Sequence, residues 1–122
     1  MVAVPQPLLS ASPQAVPQRA GLGDRFHYFR GLSGRRYLFS KVAARDLGDF
    51  HSAVVMLARP TGDGRVAATW VSAVDEAGRV AERRWPAMTR DTIVLVHLLS
   101  RTDAERRDLV EDLVAVPLPL AA

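Results

Sequence analysis

The chain has 122 residues, 48% of them hydrophobic and 24% charged, with a formal net charge of +3 and no cysteine. That length predicts one domain, with a core that takes roughly two-thirds of the unfolded chain's surface out of water. The missing cysteine excludes disulfides and thiolate metal sites and fits a reducing, cytoplasmic setting, and no apolar run nears the roughly 20 residues of a bilayer-spanning helix.

Residues 1–22 carry Pro5, Pro7, Pro13 and Pro17 among Gln, Ser and Ala. Proline lacks an N–H and fixes φ, so neither regular helix nor a central strand is expected. The segment is predicted to be a disordered, Pro-rich tail. Residues 1–17 also lack the positive start and continuous apolar stretch of a signal peptide.

A hairpin is predicted next, with arms Arg25–Arg30 and Arg35–Val42 around Gly31-Leu-Ser-Gly34. Alternation places Phe26, Tyr28 and Arg30 on one face of the first arm and His27 and Phe29 on the other. On the second arm Arg35, Tyr37 and Phe39 share one face, and Arg36, Leu38 and Ser40 the other. Gly31 and Gly34 are expected to supply positive φ in the turn. Five of the chain's eight Phe, Trp and Tyr residues fall in 26–41, with four of its sixteen Lys and Arg.

Residues 43–51 read as a short connector with one helical turn. A second hairpin follows, with arms 52–59 and 65–74 around the turn Pro60-Thr-Gly-Asp-Gly64. The stretch 80–88 fits either a short helix or a third arm paired back onto 66–74; the strand is slightly favoured. Thr92–Leu99 is almost wholly apolar, the pattern of a buried central strand. A helix then opens at Thr102 and Glu105, which form a capping box. Leu109, Val110, Leu113 and Val114 recur at helical spacing as its apolar face. Asp103–Arg107 and Arg107–Glu111 are spaced to pair on the wet face, at about 0.2–0.5 kcal/mol each. Pro117 is expected to stop the helix.

These elements predict an α+β fold: two or three antiparallel hairpins and a central apolar strand packed against a C-terminal helix. The expected organisation is a tail over 1–22, a single domain over 23–116 and a short Pro/Leu tail over 117–122.

Catalytic patterns are incomplete. His27, His51 and His97 share no metal-ligand spacing, and His97 reads as a core histidine satisfied by one hydrogen bond. Gly31-Leu-Ser-Gly-Arg35 is one residue short of a nucleophile elbow. Asp75–Glu76 and Glu111–Asp112 are adjacent acids; on a helix such neighbours point apart, so the second pair cannot cooperate as acid and base, and both pairs read as solvated faces. No metal or cofactor is expected, and the chain leans away from being an enzyme.

Charge is uneven. Residues 1–60 carry eight basic and three acidic side chains, and residues 61–122 carry eight and ten. The excess lies in the half that holds the first hairpin, as expected of an anion-binding face. Fifteen of the sixteen basic residues are Arg, which first of all fits a genome rich in G and C, and also suits planar oxyanion recognition. The leading expectation is a small cytoplasmic binding module. Tyr28, Arg30, Arg35, Arg36, Tyr37 and Lys41 would contact nucleic acid, by base stacking and phosphate pairing, or an acidic protein partner. Against it stands the plainer reading that Phe26, Tyr28, Tyr37 and Phe39 are a core face merely rimmed by arginines.

From residue 52 onward the order of elements resembles a degenerate GIY-YIG nuclease domain. Ala53-Val-Val-Met-Leu57 and Thr69-Trp-Val-Ser72 resemble the paired strands that carry the two signature tripeptides. Ile93–Leu99 and the helix through Glu111 resemble the third strand and the Glu-bearing helix. Both signature tyrosines are replaced, at Val54-Val55 and at Trp70-Val71-Ser72, and Arg83 or Arg84 would have to stand in for the helix arginine. The resemblance implies the fold and argues against intact nuclease activity; a residual phosphodiesterase would use Glu111. Residues 25–114 also resemble small alphaproteobacterial proteins that share an FHYFRG-SGRRY start and HLL and AERR near the end, a similarity that implies no activity. Finally, Ala115-Val-Pro-Leu-Pro-Leu120 resembles the peptide bacterial proteins insert into the replication sliding clamp, which would make Val116, Leu118 and Leu120 a tail-borne partner site. Ala115 stands where the anchoring Gln would be.

Overall fold

In a computed structural model, the described residues are 3–9, 25–62, 65–80 and 88–114. They form an α+β fold, as the pattern of elements predicts. Six strands make one fully antiparallel sheet: β1 (Ala3–Leu9), β2 (Phe26–Arg30), β3 (Arg36–Val42), β4 (Ala53–Pro60), β5 (Val66–Val74) and β6 (Ile93–His97). Their order across the sheet is β1-β5-β4-β6-β3-β2. Helix α1 (Asp103–Val114) follows β6, and a 3₁₀ helix, Ala44–Asp49, links β3 to β4.

The topology explains the apolar run in β6. The pairs β2–β3 and β4–β5 are hairpins of consecutive strands, and β6 lies between them, pairing with β3 through Val42↔Val94 and with β4 through Met56↔Leu95. A strand covered on both faces carries apolar residues at consecutive positions rather than alternate ones. The run was expected to extend from Thr92 to Leu99, but the strand ends at His97, opposite Val54 near the start of β4. With no ladder beyond it, Leu98 and Leu99 lie 53% and 71% exposed.

The two faces carry different cores. Under α1 lie Phe29, Phe39, Val54, Met56, Val71 and Leu95, packed against Leu109, Val110 and Leu113 of the helix. On the opposite face Val55, Leu57, Trp70, Val94 and Val96 pack with Leu47 and Phe50 from the 3₁₀ connector. Each fully buried aliphatic or aromatic side chain is worth about 1.5–3 kcal/mol in surface removed from water. Thr69 sets the register between the two faces. Leu57 pairs with Trp70 and Ala58 with Ala68, which leaves Thr69 as the extra residue of a β-bulge. Its Oγ1 donates to Leu57 O at 3.1 Å. The bulge shifts the parity of β5, so Ala68 and Val71 both face the helix while Trp70 turns to the other side.

The expectation of a tail over 1–22 is corrected for Ala3–Leu9, which pair with β5 as an edge strand. Proline is tolerated at a sheet edge, and the register breaks between Ala3 and Leu8, the interval that holds Pro5 and Pro7. The rest of 1–22 lies outside the described residues, as does most of 80–88, where Val80 bridges back to Val74. Arg83 and Arg84 and the Pro/Leu stretch with Val116, Leu118 and Leu120 also fall outside them.

Helix α1 starts as its sequence predicts. Thr102 Oγ1 accepts the Glu105 N–H at 3.1 Å, and Glu105 Oε2 accepts the N–H of Arg101 at 2.9 Å, one residue earlier than a standard capping box. The expected wet-face pairs give way to an ion pair between Asp103 and Arg106 at 2.6 Å. Arg106 is 3% exposed and also donates to Ser52 O and Ser100 O, tying the helix to the entries of β4 and α1.

Candidate anion-binding hairpin

The β2–β3 hairpin follows the predicted alternation, in the register Phe26↔Ser40, Tyr28↔Leu38 and Arg30↔Arg36. Gly34 takes φ +88° in the turn. Gly31 has another role: a Cβ there would overlap the Asp112 carboxylate, so the turn touches α1 through a glycine.

The expected core rings are reassigned. Phe29 and Phe39 are fully buried beneath α1, edge-to-face at 5.6 Å, with half-buried Tyr37 beside them. Phe26 and Tyr28 alternate onto the opposite face and stay half-buried. Alternation showed two faces but not which one the helix covers; that depends on pairing with β6, which is distant in sequence.

Asp112, read as part of a solvated face, is the latch of the hairpin. Its Oδ1 accepts the Ser33 N–H at 2.7 Å, and its Oδ2 accepts the hydroxyls of Ser33 and Tyr37, each at 2.6 Å. The Leu32 N–H donates to the Asp112 backbone oxygen at 3.0 Å. Burial pushes the Asp112 carboxyl up, but the Ser33 and Tyr37 donors with the Arg35 charge outweigh it, and the group titrates below the usual range. Tyr37 is raised by burial first and then by its bond to Asp112. No local sequence signal marks a contact between residues 75 to 79 positions apart.

The six predicted contact residues therefore fall into three places. Tyr28, Arg30 and Arg36 come together on the face away from α1. Tyr37 lies on the helix side, held by Asp112, and Arg35 sits at the turn next to it. Lys41 is at the open end, where its N–H donates to Arg25 O. Arg30 and Arg36 are exposed and face each other directly across the strands. Neither has a carboxylate partner among the described residues. Like charges placed opposite in this way are destabilising. Residues 25–45 hold six basic side chains and no acidic one.

A concavity of about 260 Å³ lies between the hairpin and α1, lined by Arg35, Tyr37, His97, Ser100, Glu105 and Asp108. His97 sits beneath it, 6% exposed. One ring nitrogen, Nδ1, lies 2.8 Å from Leu38 O, and Nε2 lies 3.1 Å from Ser100 Oγ. The ring thus has two partners rather than the one expected. Burial holds its pKa below that of a free imidazole, against the raising effect of Leu38 O. With Nδ1–H donating to the Leu38 carbonyl and Nε2 accepting from Ser100, the ring ties the end of β6 to β3 on one side and to the β6–α1 loop on the other. Among the described residues no group of three His, Asp or Glu side chains stands ready to hold a metal. Glu111 is exposed on α1. The positions matched to the nuclease tripeptides lie side by side in the sheet as Val55↔Ser72 and Met56↔Val71.

Comparison with protein-family models, with curated proteins and with solved structures finds no match to this chain.

Proposed function

We propose that the chain is a small, non-enzymatic binding module whose β2–β3 hairpin contacts an anionic partner. One observation carries this reading: Arg30 and Arg36 oppose each other across the strands, exposed and with no carboxylate partner among the described residues, beside the half-buried ring of Tyr28. A bound oxyanion between two guanidinium groups replaces their repulsion with charge-assisted hydrogen bonds. Two partner classes present that chemistry. Nucleic acid is favoured by the rings of Tyr28 and Phe26 next to the arginines, which suit base stacking. An acidic protein is favoured by the position of β2 at the edge of the sheet.

The test is a fluorescence-anisotropy titration with labelled oligothymidylate and with labelled polyglutamate. The reading expects binding that weakens steeply with salt. Arg30→Glu with Arg36→Glu should weaken binding of the recognised polyanion by at least about tenfold, which is 1.4 kcal/mol. Equal binding by the double variant and the parent overturns it.

A further inference from the structure

Building on the hairpin reading, we propose that the outer edge of β2 accepts an extended acidic peptide as an additional antiparallel or parallel strand. The backbone carries this inference. Gly31 N–H donates to Arg35 O and Lys41 N–H to Arg25 O. An antiparallel ladder alternates, so His27 and Phe29 turn their backbone groups toward β3, and Phe26, Tyr28 and Arg30 turn theirs outward. Among the described residues no hydrogen bond reaches those three outward-facing positions, and no described strand lies beyond β2 in the sheet order.

The two sheet edges differ in a telling way. The β1 edge carries Pro5 and Pro7, which have no N–H to offer. The β2 edge has neither proline nor glycine and is built of Phe, His, Tyr, Phe and Arg. Natural sheets usually protect an open edge with proline, bulges or charge. Here the protection is cationic. Arg25 and Arg30 bracket the strand, Arg36 and Lys41 stand across from them, and no acid lies between residues 25 and 45. A second copy of β2 would bring arginines against arginines, so the charge disfavours self-pairing and selects an acidic strand. Strand addition draws its affinity from main-chain hydrogen bonds and its specificity from alternate side chains. The matching peptide has an acidic residue at each end of about five extended residues, a span of about 17 Å. β-Branched residues between them would lie beside Tyr28 and Phe26.

The probe is a fluorescein-labelled peptide with Glu at both ends and alternating Val and Thr between. Tyr28→Pro removes one outward N–H and no β2–β3 ladder bond; Tyr28→Ala keeps that N–H and serves as its control. Circular dichroism checks both folds, and an N-methylated version of the peptide makes the same test without altering the protein. The inference expects Tyr28→Pro, and separately N-methylation, to weaken binding at least about tenfold relative to Tyr28→Ala and the unmodified peptide. Equal affinities overturn strand addition; if Arg30→Glu with Arg36→Glu still abolishes binding, the anion-binding reading stands without it. Binding of oligothymidylate but not of the acidic peptide also overturns strand addition and identifies the partner as nucleic acid. Binding of neither overturns both.

Discussion

Tyr37 donates its hydroxyl to Asp112 Oδ2 at 2.6 Å, joining a strand of the basic hairpin to the last turns of α1. The same oxygen accepts from Ser33 Oγ, so one carboxylate fixes both the turn and the strand after it. The hairpin is thereby tied to the helical layer, and its face turned away from α1 is the one that carries Tyr28, Arg30 and Arg36.

Removing the latch should loosen the hairpin before it unfolds the domain. Asp112→Ala strands two hydroxyls and an amide, and hydrogen bonds to a charged group contribute about 1.5–3 kcal/mol. Amide exchange at Ser33 should accelerate markedly while that of β4 stays slow. Acid should reproduce the effect. The folded Asp112 titrates below its ordinary 3.8, so its contribution is present above that value and is lost as pH falls through the folded pKa. Asp112→Asn should flatten this acid dependence in a Ser33 exchange profile.

Gly31→Ala should destabilise through a clash. The added Cβ meets the Asp112 carboxylate, and such overpacking costs about 1–3 kcal/mol. Because Asp112 is the obstacle, Gly31→Ala combined with Asp112→Ala should cost clearly less than the two singles added. Chemical denaturation of the four proteins measures the cycle; strict additivity would place the clash elsewhere.

His97 should make the fold sensitive to mild acid. Its folded pKa lies below 6.5, so the stability it contributes is complete above that value. It declines as pH falls through the folded pKa and levels off below it. Urea midpoints at pH 7.5 and 5.5 should differ in the parent and differ less in His97→Gln. A carbon-proton NMR titration should place the ring's midpoint below 6.5.

Much of this architecture is legible from local pattern. Period-two alternation located the first hairpin and its two faces, apolar arms around a Pro/Gly turn located the second, an apolar run located β6, and Thr102 with Glu105 located the start of α1. The missed features depend on distant neighbours. Asp112 looks like any exposed acid until the turn at Ser33 is folded against it. Arg106 lies in a charged helical stretch, and only Ser52 O and Ser100 O reveal why it is buried. Pro5 and Pro7 argued rightly against a central strand, yet an edge strand tolerates them. The bulge at Thr69 leaves no periodic trace, because it is a change of period.

Arg106→Ala should cost about 1–3 kcal/mol for each buried acceptor left unsatisfied, here Ser52 O and Ser100 O. Lysine should not restore the loss, since one ammonium does not reproduce a fork that reaches Ser52, Ser100 and Asp103. Thermal unfolding of the Ala and Lys variants checks this. Full rescue by Lys would reduce the role of Arg106 to charge alone.

The Arg30–Arg36 pair gives the account a signature that ordinary surface charges lack. Arg36→Glu turns a cross-strand repulsion into an attraction and should stabilise the free protein by about 0.2–1 kcal/mol. The same change should weaken anion binding.

The most direct measurement is thermal unfolding of the parent and of Arg36→Glu, each with and without a saturating polyanion that the parent binds. A ligand that binds only the folded state raises the melting temperature by mass action. The account predicts that Arg36→Glu melts higher than the parent when free and gains little from the polyanion, while the parent gains clearly. An equal rise in both proteins, or a variant less stable than the parent when free, would contradict it.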